Sequence, residues 1–303
     1  MLLRESIDEL KIKPDGIYID GTLGRGGHTR EIAIRLSTGR IIAIDRDADA
    51  IKESSALLAG HDKMISYVHG NFRDISSIMD SMDIDAADGM MFDLGVSSPQ
   101  LDDSERGFSY MQDAPLDMRM DIREDTTAFE VINFWPEEKL RDIFYKYGEE
   151  RYAGLIARAI TKKRATTPIE STLGLSTVII SALPAAARRE SQHPAKRCFQ
   201  AIRLIINSEL ESISDMLVSA PDRLNKGGRL CIISYQSLED KLVKATFAER
   251  SAGCICPKEF PVCVCGVKPS LKLITKKPIT PGIAEIERNP RARSAKMRVA
   301  ERL

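Results

Sequence analysis

The chain has 303 residues, 43% of them hydrophobic and 29% charged, which is enough for one large domain or two smaller ones with packed cores. Its 44 basic and 44 acidic residues give a net charge of +0, which excludes a uniformly basic or acidic surface. No apolar run is long enough to cross a bilayer and no signal-peptide pattern opens the sequence, so we expect a cytoplasmic protein with reduced cysteines and no membrane partner.

Strand-like runs alternate with helical stretches through the first hundred residues. The runs lie at 17–20, 40–44, 65–68 and 88–93. This alternation predicts a parallel sheet with helices packed against it.

The pattern changes after residue 104. Helices are expected over 126–164, where Trp135-Pro136-Glu137-Glu138 is a start signal, and in one long helix over 194–217. Strand signals then return in two runs, 227–235 and 271–275.

These elements predict an α/β fold with a doubly wound, mainly parallel sheet that is interrupted by a helical domain. Residues 1–104 and 207–303 would form the sheet domain, and residues 105–206 the helical insertion. Because parallel strands end at a common edge, Asp20, Asp45 and Asp93 should converge where such a sheet binds its ligand.

The segment between the first two predicted strands is the most informative. Its turn contains four glycines: Gly21, Gly24, Gly26 and Gly27. A strand, a glycine-rich turn and a helix favour an adenosine-type cofactor, because the backbone can approach the ligand and the first helical N–H groups are free. Asp45, at the end of the second strand, can accept hydrogen bonds from two ribose hydroxyls. The alternative is an ordinary turn whose glycines serve only the backbone.

The glycine spacing indicates which cofactor to expect. The dinucleotide pattern G-x-G-x-x-G is absent, and Asp20 at the first strand end would repel a pyrophosphate while suiting an ammonium group. S-adenosylmethionine has an ammonium group, a ribose and an adenine but no phosphate, so it is the predicted cofactor. Phe72, after the third strand, is expected to flank the adenine or else to cover the core.

Several segments, in order along nearly the whole chain, resemble the bacterial ribosomal RNA small subunit methyltransferase H family. They are Asp20–His28, Asp93–Asp102, Glu105–Tyr110, Pro115–Asp121, Tyr147–Arg151, His193-Pro194, Arg197, Phe199–Ala201, Asn207–Leu210 and Asn289–Lys296. The resemblance implies a Rossmann-like class I methyltransferase that methylates the exocyclic N4 of a cytidine in the decoding region of 16S ribosomal RNA, within the small ribosomal subunit. It leaves the oligomeric state open between a monomer and a homodimer.

The resemblance also implies site residues. The cofactor contacts would be Gly26, Gly27, His28, Asp45, Phe72, Asp93 and Gln100. Asp93 is the predicted catalytic acceptor for an N4 hydrogen, the alternatives being the Ser97–Pro99 backbone or a contact of Asp93 with the cofactor alone.

Basic residues are expected to bind RNA phosphates, and the helical insertion at 105–206 is the predicted RNA-recognition domain. The charges are segregated, since residues 158–203 contain nine Lys or Arg and two Glu, and residues 285–303 six Lys or Arg and three Glu. The candidates are Arg197, Arg203, Arg291 and Arg293, with Arg188, Arg189, Lys196 and Lys296 beside them. The alternative is that these side chains form surface salt bridges.

One segment departs from the family. Where the family usually has Phe-His-Ser-Leu-Glu-Asp, this chain has Tyr235–Asp240, with Gln236 at the histidine position. Glutamine forms hydrogen bonds but accepts no proton near neutral pH, which argues against an acid–base role for this position.

The role of four clustered cysteines is open. Cys254, Cys256, Cys263 and Cys265 form C-x-C-x6-C-x-C, which suits either tetrahedral zinc or reduced thiols, and we assign no metal to the site. Cys198 and Cys231 are expected in the core.

Two other functions of the protein remain possible. They are methylation of a different nucleic-acid or small-molecule amino group, and a non-catalytic role in ribosome assembly.

Overall fold

The computed structural model describes residues 1–190, 192–253, 256, 260, 262 and 264–303. The chain forms two units. The sheet unit contains Met1–Gly95 and Leu210–Leu303, and the helical unit contains Val96–Glu209. Within the described ranges, no helix has the length and apolar character needed to cross a membrane.

The strands of the sheet unit, in chain order, are β1 (Ile17–Asp20), β2 (Arg40–Asp45), β3 (Ile65–His69), β4 (Ala87–Asp93), β5 (Leu224–Ser234), β6 (Leu271–Leu273) and β7 (Lys296–Arg302). The α-helices are α1 (Leu3–Leu10), α2 (Gly27–Ala33), α3 (Ala48–Leu57), α4 (Ile75–Ser81), α5 (Ser98–Asp102), α6 (Ala128–Phe134), α7 (Glu137–Lys146), α8 (Ala153–Arg164), α9 (Thr172–Ala182), α10 (Lys196–Ile206), α11 (Glu209–Ser219), α12 (Ser237–Ala252) and α13 (Ile283–Arg288).

The sheet has the strand order β3-β2-β1-β4-β5-β7-β6. The first five strands in this order are parallel, whereas β7 runs antiparallel to both β5 and β6. Alternate residues of β2 enter two different hydrophobic clusters, Ile42 and Ile44 in one and Ile41 and Ala43 in the other. Both faces are therefore covered, as expected for a parallel strand with a continuous apolar run. The predicted doubly wound, mainly parallel α/β fold is confirmed.

The boundary between the units differs from the predicted one. The chain leaves the sheet unit after Gly95, and not after residue 104, because Val96 and Leu101 already pack against the core of the helical unit. The second boundary falls after Glu209 instead of residue 206. Gln100 therefore belongs to the helical unit.

The prediction of one long helix over 194–217 is wrong, because α10 ends at Ile206 and α11 begins at Glu209. Between them, Ser208 has a left-handed backbone with φ of 45°. The Asn207 side chain accepts a hydrogen bond from the Met120 N–H and donates one to the Met118 carbonyl. The apolar stripe of these two helices contributes to two hydrophobic cores. Phe199, Ile202 and Ile206 belong to the core of the helical unit. Ile213 belongs to the core of the sheet unit, and Leu210 packs against it.

Candidate functional site

The candidate site lies at the carboxyl ends of β2, β1 and β4. In the parallel register, Asp20 at the end of β1 pairs with Ala43 of β2 and with Met91 of β4. Asp45 and Asp93 each follow these partners by two residues, so the three strand-end aspartates lie at one edge of the sheet. The predicted convergence of the strand ends is thus present in the fold.

The glycine-rich turn begins with a fully buried carboxylate. Asp20 has no exposed surface, and its two oxygens accept hydrogen bonds from the Thr22 N–H at 3.1 Å and the Thr29 hydroxyl at 2.7 Å. Burial raises the pKa of Asp20 above its usual value, and His28 and the two hydrogen bonds oppose this shift. Asp20 therefore holds the turn against α2, and its burial favours this structural role over contact with a ligand ammonium group.

Asp45 connects β2 to the same turn. Its carboxylate accepts hydrogen bonds from the Gly24 N–H at 2.8 Å and from the Asp47 N–H at 2.9 Å. Burial raises the pKa of Asp45 to about 6, although both hydrogen bonds favour the ionised form. Each carboxylate oxygen can accept a second hydrogen bond, so two donors such as ribose hydroxyls could still be accommodated.

The two glycines at the start of α2 have different physical roles. Gly26 has a φ of 69°, and a Cβ there would lie 2.7 Å from Leu58 Cδ1. A Cβ at Gly27 would meet nothing within 4 Å, so open space adjoins the first turn of α2. Gly26 is therefore required by the backbone and its packing, whereas Gly27 borders space that a ligand could occupy.

His28 and Phe72 are partly built into the protein. His28 is buried, and its Nε2 lies 3.2 Å from the Met1 carbonyl oxygen. The Phe72 ring packs edge to face against Phe92 with a centroid distance of 5.7 Å, and it is partly buried at the edge of the core. This contact supports the core-covering role, while the exposed part of the ring remains available to a ligand.

Asp93, at the end of β4, has access to solvent, since its side chain is 22% exposed. Its backbone N–H donates to the Thr22 hydroxyl at 2.6 Å, which ties β4 to the glycine-rich turn. Oδ1 accepts a 2.6 Å hydrogen bond from the Tyr235 hydroxyl, and Oδ2 lies 3.4 Å from the Met1 nitrogen. A carboxylate held in this way can accept a further hydrogen bond from a bound substrate.

Tyr235 was not among the site residues derived from the sequence. The available signal was its position directly after β5, in the segment where the chain has tyrosine and the resembling family usually has phenylalanine. Burial raises the pKa of Tyr235 well above its usual value, and the neighbouring Asp93 raises it further. The hydroxyl therefore stays protonated and donates.

Gln100 lies in the helical unit and is buried. Its side-chain Oε1 accepts a hydrogen bond from the Ser97 N–H at 3.0 Å, which closes the first turn of α5. The structure thus gives Gln100 a capping function, and its role as a cofactor contact stays a prediction.

The predicted RNA-binding arginines fall into two groups. Arg203 is only 14% exposed and donates two hydrogen bonds to the Glu209 carboxylate, at 2.7 and 2.9 Å. This is a salt bridge, the expected alternative to phosphate binding. Arg197 is 40% exposed and lies 3.8 Å from Glu150. Arg291 and Arg293 are exposed in the turn between α13 and β7. The exposed arginines remain candidates for phosphate contacts.

The cysteines do not form a metal site in the part of the chain that the structure describes. Cys198 and Cys231 are buried as predicted, and burial raises the pKa of both thiols. The zinc alternative depends on Cys254 and Cys263, which lie outside the described residues. Among the described residues, no cluster of three or more His, Cys, Asp or Glu could hold a metal ion.

Comparison with known proteins gives matches along the full chain. The model of the MraW methylase family matches residues 1–303. Ribosomal RNA small subunit methyltransferase H of Halothermothrix orenii is 52% identical, with 100% of this chain and 97% of the relative covered. Its namesake in Clostridium botulinum (strain Loch Maree / Type A3) is 51% identical, with 100% and 98% covered. A solved rRNA methylase from Streptococcus thermophilus is 11% identical, with a TM-score of 0.43 and coverage of 99% and 93%.

Cofactor affinity should depend on the ionisation of Asp45. With a pKa of about 6, Asp45 is ionised at neutral pH and becomes protonated below it, which removes acceptor capacity for ribose hydroxyls. Calorimetry should therefore show constant affinity for S-adenosylhomocysteine above about pH 7, and a loss of up to about tenfold per pH unit below about pH 6.

The variant Asp45→Asn isolates this effect. It should bind the same ligand about tenfold to a hundredfold more weakly at neutral pH, because a hydrogen bond to a charged acceptor is lost, and its affinity should change little with pH. Asp88→Asn, at the opposite end of the sheet, should keep the wild-type profile. A pH dependence that persists in Asp45→Asn would assign the titration to another group.

Proposed function

The chain belongs to the MraW methylase family, and from this premise we propose that it methylates the exocyclic N4 of a cytidine in the decoding region of 16S ribosomal RNA. Family membership confirms the predicted enzyme class, a methyltransferase, and its cofactor, S-adenosylmethionine. The small-subunit RNA substrate is supported by the names of the relatives, and we place the reaction on the small ribosomal subunit in the cytoplasm. A monomer and a homodimer are both compatible with this proposal.

The sheet edge has residues that fit this cofactor. Asp45 can accept the ribose hydroxyls, Gly27 adjoins open space at the start of α2, and Phe72 has a partly exposed ring for the adenine. We include Gly26, His28, Asp93 and Gln100 as further proposed contacts. When bound, S-adenosylmethionine supplies a methyl group that is activated by its bond to a positively charged sulfur.

The choice of an amino group as the methyl acceptor rests on the position and exposure of the Asp93 carboxylate. The lone pair of cytosine N4 is delocalised into the ring, so N4 is a weak nucleophile until an acceptor takes a hydrogen bond from it. A partly exposed carboxylate at the end of β4 can hold one N4 hydrogen and receive the proton that N4 loses on methylation. The backbone of Ser97–Pro99 is the alternative acceptor.

The RNA would be bound by exposed arginines. Arg197 in the helical unit, and Arg291 and Arg293 in the sheet unit, are exposed enough for phosphate contacts. Arg203 is better explained by its ion pair with Glu209, so we leave it out of the proposed interface. To enter a methyl-transfer pocket, the target base must also leave its stack.

The substrate is tested by methyl incorporation into intact small ribosomal subunits, naked ribosomal RNA and DNA, followed by nucleoside mass spectrometry. We expect N4-methylcytidine in 16S RNA from the small subunit and at least about tenfold less incorporation into naked RNA or DNA, because the folded particle positions the base. Methylation of another nucleoside would favour a different amino-group methyltransferase. Subunit binding without methyl transfer would favour an assembly factor.

The role of Asp93 is tested by Asp93→Asn. This variant should lower kcat by about a hundredfold or more, since general-base catalysis typically contributes that much, while its affinity for S-adenosylhomocysteine stays within about threefold. Asp88→Asn provides a matched control at the other end of β4 and should retain kcat. If affinity and kcat fall by the same factor in Asp93→Asn, Asp93 serves cofactor binding and not catalysis.

The proposed interface is tested by the double variant Arg291→Gln with Arg293→Gln. Loss of two phosphate contacts should raise KM for the small subunit and reduce the slope of log affinity against log salt by about two. The exposed Arg4 and Arg35, changed together to Gln, keep the net charge equal and should leave both values unchanged. An unaltered salt slope in the Arg291/Arg293 variant would remove this turn from the interface.

A further inference from the structure

A buried tyrosine hydroxyl is aimed at the candidate catalytic carboxylate. Tyr235 directly follows β5, and its hydroxyl donates to Asp93 Oδ1 at 2.6 Å. The two residues are carried by neighbouring parallel strands, in which Asp93 lies opposite Ile233, and the Leu94 N–H donates to the Ile233 carbonyl at 2.9 Å. The distance between donor and acceptor is therefore set by the register of the sheet and not by a flexible loop.

The backbone of Tyr235 is held on its other side by α12. Its N–H donates to Glu239 Oε2 at 2.8 Å, and the Gln236 N–H donates to the same oxygen at 3.1 Å. Glu239 is fully buried in the first turn of α12. Both ends of the tyrosine are thus anchored, which limits the conformations that its hydroxyl can adopt.

The two oxygens of Asp93 are held unequally. Oδ1 accepts the short hydrogen bond from Tyr235, whereas Oδ2 makes a longer contact of 3.4 Å with the Met1 nitrogen. The side chain is partly exposed, so without the tyrosine its carboxylate could rotate about χ2, a torsion with broad preferences. The hydroxyl fixes the carboxylate plane and leaves Oδ2 as the oxygen that is less strongly engaged.

We propose that Tyr235 is a positioning residue for methyl transfer, which holds the Asp93 carboxylate so that Oδ2 meets the amino hydrogen of the substrate. This inference rests on the proposed function, in which Asp93 accepts an N4 hydrogen. It concerns a hydroxyl that this chain has where the resembling family usually has phenylalanine. Tyr235 touches neither the substrate nor the cofactor in this role and acts through Asp93.

The test begins with Tyr235→Phe, which removes the hydroxyl and keeps the ring. We expect kcat to fall about tenfold, equivalent to about 1.4 kcal/mol, with KM for the small subunit and the calorimetric Kd for S-adenosylhomocysteine within about twofold of wild type. The matched control is Tyr18→Phe, which removes a buried hydroxyl from β1. That hydroxyl accepts a hydrogen bond from the Lys13 N–H at 2.7 Å, at the end of the strands away from the candidate site. That control should lower the melting temperature and keep kcat.

A double-mutant cycle separates positioning from a structural role. If Tyr235 acts through Asp93, adding Tyr235→Phe to Asp93→Asn should change kcat less than about twofold, because the carboxylate that it positions is already gone. A full tenfold loss in both backgrounds, an unchanged kcat in Tyr235→Phe, or an equal loss of cofactor affinity would each overturn the inference. A wild-type protein that binds S-adenosylhomocysteine but methylates no RNA would instead overturn the proposed function.

Discussion

The parallel register of β2, β1 and β4 is the constraint on which the site depends. It places three strand ends beside each other, and each of these ends carries an aspartate. The sheet also fixes the starting points of the connecting segments, so the glycine-rich turn leaves β1 within reach of both neighbours. Asp45 hydrogen-bonds to the Gly24 N–H from one side, and Thr22 accepts the Asp93 N–H from the other. The turn is thereby held between two strand ends.

The same edge gives each carboxylate a different environment, and the environment decides what the group can do. Asp20 is fully buried and its oxygens are both hydrogen-bonded within the turn, so it stabilises the turn. Asp45 has its pKa raised to about 6 and is ionised at neutral pH, which suits an acceptor of hydroxyl hydrogen bonds. Asp93 reaches solvent and shares one oxygen with Tyr235, so it can face a substrate.

Much of this could be predicted from the sequence, because it follows from local patterns. The apolar runs located β1 to β4 to within about one residue, and the rule that parallel strands end together brought the aspartates to one edge. The break after Ile206 could not be predicted in this way, because the stripe of α10 and α11 keeps its helical spacing across it. The helix stops there because Asn207 bonds to the backbone near Met118, a contact between residues that are distant in sequence.

For Arg203 and Tyr235, contacts made only in the folded chain decide the environment of the side chain. The sequence leaves Arg203 open between phosphate binding and a salt bridge, and in the folded chain its guanidinium donates two hydrogen bonds to Glu209, six residues along the chain. The signal at Tyr235 is weak, because a tyrosine directly after a buried strand is usually part of the core. Its role arises only when β5 pairs with β4 and brings the hydroxyl to Asp93. In this register the tyrosine hydroxyl gives a partly exposed strand-end carboxylate a fixed donor, which a phenylalanine at the same position could not supply.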